Sequence, residues 1–377
     1  MESLIPADNH AMMWAALFGL AAFGAFIDKT RYGKIVSGVV WVIFLSTLLA
    51  NIKILPMDAP AYDLIWGEVI PLAIMLLLYK ADLRRIVKES GRVFLAFIIG
   101  SIGVLLGVAL GVAVLPLGAE EPGLAAVFAA TYIGGSVNFA AVSETIGLAD
   151  GVKAAAIAAD NIAGTVLLIM IAALPAMRFI QSRFVVASDA SIGEDADAAA
   201  HDSAPLAILP VAAAVMTGLI LTLLGRLLAD LLGWPSASIL VSTVLVIAAA
   251  SLWPTLFAKM ADQGFQLGLL LMYFFFVAIG THADIGLMVD KGLVLFAFAA
   301  LILSVHLVFL LVVGKLLKLE VAEMVIGSNA CVLGAGTAAA QAGAMGWRGL
   351  VTPGVLTGTF GYAIASFIGV AIFGVLG

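Results

Sequence analysis

Residues 131–139, Thr-Tyr-Ile-Gly-Gly-Ser-Val-Asn-Phe, place two glycines and a cluster of polar side chains inside an apolar run long enough to cross a bilayer. Backbone groups cannot be left unpaired in hydrocarbon. A helix broken at membrane depth is therefore tolerated only where protein or a polar cavity surrounds the break. A weaker echo, Gly-Ala-Gly-Thr-Ala-Ala-Ala-Gln at 334–341, occupies a comparable setting late in the chain. Two such breaks at corresponding places in two halves point to a transporter binding site.

Apolar segments fall at 11–28, 35–52, 62–79, 92–117, 121–147 and 152–179, and again at 205–232, 237–256, 264–282, 292–316, 321–345 and 350–376. With 63% hydrophobic and 11% charged residues, the chain reads as an all-α polytopic membrane protein. Its basic residues are scattered over loops, so nothing suggests nucleic-acid binding. The single cysteine, Cys331, excludes an internal disulfide framework and reads as a close-packing residue. The N-terminus lacks the basic leader of a secretory signal peptide, and its first positive cluster, Lys29, Arg31 and Lys34, follows the first apolar run.

The polar stretch 181–204 is acidic and alanine-rich, and it reads as a cytoplasmic linker between two repeats, 1–180 and 205–377. Lys80-Ala81-Asp82 and His282-Ala283-Asp284 close corresponding segments, and Gly135 to Gly147 aligns with Gly334 to Gly346. The positive-inside rule then tests two topologies. If 121–147 and 321–345 are re-entrant hairpins, Arg178, Arg183, Lys259, Lys315, Lys318 and Arg348 lie inside, with Lys153, Arg226 and Lys291 outside. If both segments cross, Arg178, Arg183, Lys259, Lys315 and Lys318 move outside. Re-entry agrees better with the rule. It leaves about ten spans in two inverted repeats, with both termini outside.

The candidate chemistry gathers at the breaks. Tyr132, Gly134, Gly135, Ser136 and Asn138 form one tip, and Gly334, Gly336, Thr337 and Gln341, with Ser328 and Asn329 nearby, form the other. These residues are expected to contact substrate. Asn138 and Thr337 also offer hard oxygens to Na⁺, and the half-helix beyond each tip aims its positive end at the break. Asp160 and Asn161 lie within the following apolar helix. An intramembrane acid is expensive unless it faces a cavity or partner, so Asp160 is expected to balance a bound Na⁺ or carry a proton, with Asn161 beside it. The aligned region of the second half, Thr357-Gly358-Thr359-Phe360-Gly361, supplies hydroxyls and no acid. Glu144, near the outer end of the first hairpin, reads as solvent-reaching. His306 reads as a packed, hydrogen-bonded imidazole, and Asp82 and Asp284 as helix-end residues.

The stretch Gly-Gly-Ser-Val-Asn-Phe at 134–139 with Ser143-Glu144, the Ala-Asp-Asn at 159–161 and the Phe-Phe-Phe-Val-Ala-Ile-Gly-Thr-His-Ala-Asp-Ile at 274–285 resemble the membrane family catalogued as domain of unknown function 819, or YjcL-like. The resemblance covers essentially the whole chain. That family is more distantly similar to sodium/glutamate symporters and to inverted-repeat carriers of bile acids and cations. The resemblance implies a mobile core domain beside a scaffold domain, in a homodimer. The second tip departs from the pattern in carrying Gly-Ala-Gly-Thr.

These readings converge on a secondary active transporter in the cell membrane. Na⁺-coupled symport of a small organic anion, amino acid or short peptide leads, with Na⁺ as coupling ion and no cofactor. A cation/proton antiporter and a non-transporting receptor or scaffold are the alternatives. No nucleophile–base pair or metal-ligand motif suggests an enzyme, and no Walker loop suggests ATP coupling.

Overall fold

The computed structural model describes residues 3–30, 38–81, 88–185, 207–282 and 285–377. Nearly all of the 181–204 linker, together with Asp82 and Asp284, lies outside the described residues. Among those described, nine helices are long and apolar enough to cross a membrane, and α2 is a shorter apolar helix. The first half runs α1 (His10–Asp28), α2 (Gly38–Asn51), α3 (Pro60–Lys80), α4 (Gly91–Val114), α5 (Glu121–Gly134), α6 (Ser136–Thr145) and α7 (Asp150–Ala173). The second runs α8 (Ile208–Leu231), α9 (Ser238–Leu252), α10 (Pro254–Thr281), α11 (Ile285–Leu316), α12 (Val321–Val332), α13 (Ala335–Ala344) and α14 (Val351–Leu376).

Most expected segments match these helices closely, and one differs. A loop was expected between 256 and 264, but only Trp253 separates α9 from α10. Pro254 takes the first position of α10, where its missing N–H costs nothing. Lys259 and Asp262 thus lie on a helix, and Asp262 pairs with Lys80 at 2.7 Å. In α3 a π-helical turn, Ile65–Val69, precedes Pro71; such turns mark local departures from the α ladder, often at functional sites.

The helices pack as two bundles. One contains α1, α2, α3, α8, α9 and α10, the first three spans of each half. The other contains α4 to α7 and α11 to α14, the last three units of each half. Each bundle is therefore built from both halves. The seam of the second bundle is the α4–α11 contact, made by Gly103, Gly107 and Gly111. A Cβ on Gly107 would stand 2.7 Å from Ile302 Cα, and one on Gly103 would stand 2.9 Å from His306 Cα. Without side chains there, the backbones approach closely enough for dispersion to hold them in an apolar solvent.

Candidate functional site

Each glycine break reverses the chain. Gly135 has φ +73° and Gly334 φ +95°, a region that residues with a Cβ enter only at a cost. The folding back is visible in what the arms share. A Cβ on Gly369 would touch Ala126 O and Val142 Cγ2, both at 2.9 Å, one from α5 and one from α6. In a continuous helix those residues would stand about 24 Å apart. In the second hairpin Asn329 Nδ2 donates to Gln341 Oε1 at 2.6 Å across the two arms.

The two hairpins open at opposite ends of the same two long helices. The base of the first adjoins the start of α7, where Lys153 binds Glu144, and the end of α14, where Gly377 lies beside Pro122. The base of the second adjoins the end of α7, through residues 174–176, and the start of α14. Arg92, at the start of α4, meets Glu323 of that base with Nε 2.8 Å from the carboxylate. Both termini lie at the first-hairpin face: Leu4 N–H donates to Lys53 O there, and Gly377 ends there.

The tips meet midway. A Cβ on Gly135 would stand 3.5 Å from Leu333 O, and Cys331 Sγ donates to Tyr132 O at 3.1 Å. Helix α14 receives both tips on small residues. A Cβ on Gly361 would lie 2.6 Å from Ile133 O, and one on Gly358 2.5 Å from Ala335 N. The hydroxyl of Tyr362 accepts the first free N–H of α13, from Ala335, at 3.2 Å. On the other side, Gly164 of α7 faces Leu333.

The residues expected at this place divide into those that build the tips and those left with unused polar atoms. Asn138 is a builder: its Nδ2 donates to Gly134 O at 2.7 Å and its Oδ1 accepts from Ser366 Oγ at 2.6 Å, which fastens the first tip to α14. Thr337 donates toward Asn329 Oδ1 at 2.7 Å and Gly334 O at 3.0 Å, which stiffens the second tip. Asn161 turns along its own helix and donates to Ile157 O at 2.9 Å. Ser136 is half-buried at the start of α6, and Gly336 is exposed at the start of α13.

Asp160 is buried, and its Oδ2 accepts from Thr131 Oγ1 at 3.3 Å. The Tyr132 hydroxyl faces this carboxylate, yet it makes no hydrogen bond of ordinary geometry. Gln341 Nε2 and Thr357 Oγ1 are likewise buried without partners. Each such group forfeits about 1–3 kcal/mol relative to a satisfied one. Tyr132 faces Asp160, Gln341 lies on the second arm of the second hairpin, and Thr357 lies on the helix that receives both tips, so unused polar atoms remain on each of these elements. Thr131, Tyr362 and Ser366 were not singled out from sequence, whereas Thr357 was named only as one of the hydroxyls of the second half. Their signal was indirect: each lies in or beside a glycine-broken stretch.

The remaining candidates are structural. His306 Nδ1 bonds Gly100 O and its Nε2 bonds Ser328 Oγ, both at 2.8 Å, so the imidazole ties α11 to α4 and α12. That is the packed role expected of it, and it occupies Ser328. Glu144 was expected to reach solvent. It is instead half-buried and ion-paired with Lys153 at 2.5 Å.

An all-α polytopic membrane protein, with nine helices among the described residues long and apolar enough to cross a membrane, is the class this architecture defines. The chain belongs to the family described as protein of unknown function (DUF819), whose model matches residues 15–376. It is 32% identical over 391 residues to the uncharacterized membrane protein YjcL of Bacillus subtilis (strain 168), an alignment covering 98% of this chain and 97% of that one.

Proposed function

We propose that this protein is a secondary active transporter in which the hairpin-bearing bundle moves against the other, exposing a central site to each face in turn. The observation that carries the reading is the pair of hairpins opening at opposite ends of α7 and α14, with tips meeting beside Asp160. An alternating-access site needs such a place, reachable from either side by a rigid displacement. At the bundle boundary an open apolar groove of about 640 Å³ lies between α9 and α14.

Na⁺-coupled symport of a small organic anion, amino acid or short peptide is the leading form. Asp160, with Thr131 and Tyr132, supplies hard oxygens to Na⁺. Gln341, Thr337, Ser136 and the glycine-exposed backbone of both tips take the solute. The described basic residues Lys80, Arg92, Arg178, Lys259, Lys315 and Lys318 gather at the second-hairpin face, against Lys53, Lys153 and Arg226 at the other. By the positive-inside rule the second hairpin then opens to the cytoplasm, and both termini lie outside.

Purified protein reconstituted in proteoliposomes tests this reading. Solute accumulation driven by an inward Na⁺ gradient supports symport. Na⁺ efflux driven only by ΔpH supports a cation/proton antiporter, the second reading, which the compact Asp160 cluster also suits. If Asn138→Ala and Asp160→Asn leave every ion- and solute-dependent property unchanged, the protein is a receptor or scaffold.

A further inference from the structure

Lys153 lies at the base of the first hairpin with its side chain 6% exposed. Its ammonium is 2.5 Å from Glu144, 3.0 Å from Asp150 and 4.6 Å from the centroid of the Trp66 ring. Glu144 and Asp150 belong to the hairpin-bearing bundle. Trp66 belongs to the other, on the π-helical turn of α3. A carboxylate set beside an aromatic face is an ammonium-recognition pair, with charge and ring quadrupole acting together. Here the chain's own lysine fills it.

The same Trp66 and Glu144 line a cavity of about 310 Å³. Its other walls carry Arg226 and the hydroxyls of Ser236 and Ser238, while those of Thr222 and Ser242, also in the wall, already donate to Gly218 O and Ser238 O. Arg226 is oriented by Glu68, with Nη1 2.8 Å from the carboxylate, and by the Gly67 carbonyl. Five guanidinium N–H groups exceed what those two partners use, so donors remain for an anion. The volume sits at the small end of ligand cavities.

We propose that this cavity binds a small zwitterion. Its ammonium replaces that of Lys153 between Trp66 and Glu144, and its carboxylate meets Arg226 and the hydroxyl wall. Because Trp66 and Arg226 ride on one bundle and Glu144 on the other, an occupied cavity holds the two bundles in their present register. Lys153 is the internal competitor that keeps the pair filled when no solute is bound. The cavity is distinct from the hairpin tips, so binding here does not depend on the transport reading and is measured without transport.

The test is titration of the full-length protein in lipid nanodiscs with trimethylglycine, and with tetramethylammonium and acetate as half-ligands. Saturable binding of trimethylglycine is expected in the wild type. It should tighten at least tenfold in Lys153→Met and vanish in Trp66→Leu, with both half-ligands at least tenfold weaker. Absence of saturable trimethylglycine binding to both wild type and Lys153→Met overturns the proposal, as does binding that Trp66→Leu leaves intact. Should Lys153→Met fail to fold, wild type against Trp66→Leu decides by the same criteria.

Discussion

Asp160 carries a carboxylate midway along a helix long enough to span a bilayer, where an acid costs about 2.5–3.5 kcal/mol on insertion scales. Thr131 offsets part of that, and the Tyr132 hydroxyl faces the same carboxylate; in the proposed symport a bound Na⁺ completes the offset. Two outcomes follow for thermal unfolding. In Asp160→Asn the stabilisation by Na⁺ disappears, a loss of about 2.7 kcal/mol where the wild type is measured at a hundred times its dissociation constant. In Tyr132→Phe the Na⁺ increment shrinks, because the hydroxyl that faces the carboxylate is gone. Asn138 behaves oppositely. Asn138→Ala strands Ser366 and the Gly134 carbonyl and destabilises by about 1–3 kcal/mol with or without Na⁺, and a Ser366→Ala exchange in that background recovers part of the loss.

At the scale of elements, the tips depend on backbone that only glycine supplies cheaply. Gly334→Ala meets two penalties: a positive φ worth about 1–2 kcal/mol and a Cβ 2.5 Å from Tyr362 Oη. Folded yield by fluorescence-detected size exclusion should fall in Gly334→Ala. It should stay level in Gly19→Ala, where no atom lies within 4 Å of the new methyl. The α4–α11 seam makes the same point for helix packing. Gly107→Leu drives a side chain into the Ile302 backbone and should abolish the monodisperse peak. Gly103, Gly107 and Gly111 recur every four residues, but the partner of that face, nearly two hundred residues away in sequence, is not legible in the spacing, because small residues record that something approaches and not what.

For the whole molecule, the two hairpin bases should be reachable from opposite faces of the membrane. With Cys331 replaced by serine, a cysteine at Ala119 should react with an impermeant maleimide added outside intact cells, and one at Leu317 only after permeabilisation. The reverse pattern refutes the orientation, and labelling of both from one face refutes the opposed hairpins. Both positions flank a hairpin base at exposed residues, and with Cys331 replaced no other thiol is present.

Hydropathy and glycine alone determined the membrane class, the position of nearly every helix and the two breaks. Those properties are local: a helix in lipid satisfies its own backbone, so its extent is written in consecutive residues. The sequence also read His306 as a packed, hydrogen-bonded imidazole, which its bonds to Gly100 O and Ser328 Oγ bear out. Tertiary structure decided what local pattern cannot carry. It fastened Asn138 to the Gly134 carbonyl and Ser366, gave Glu144 to Lys153, joined the first three spans of one half to those of the other, and brought Thr131 and Tyr362 to the meeting of the tips. Each depends on which surfaces touch. Between apolar helices in an apolar solvent, contact is selected by shape and a few hydrogen bonds, which appear only once the chain is folded.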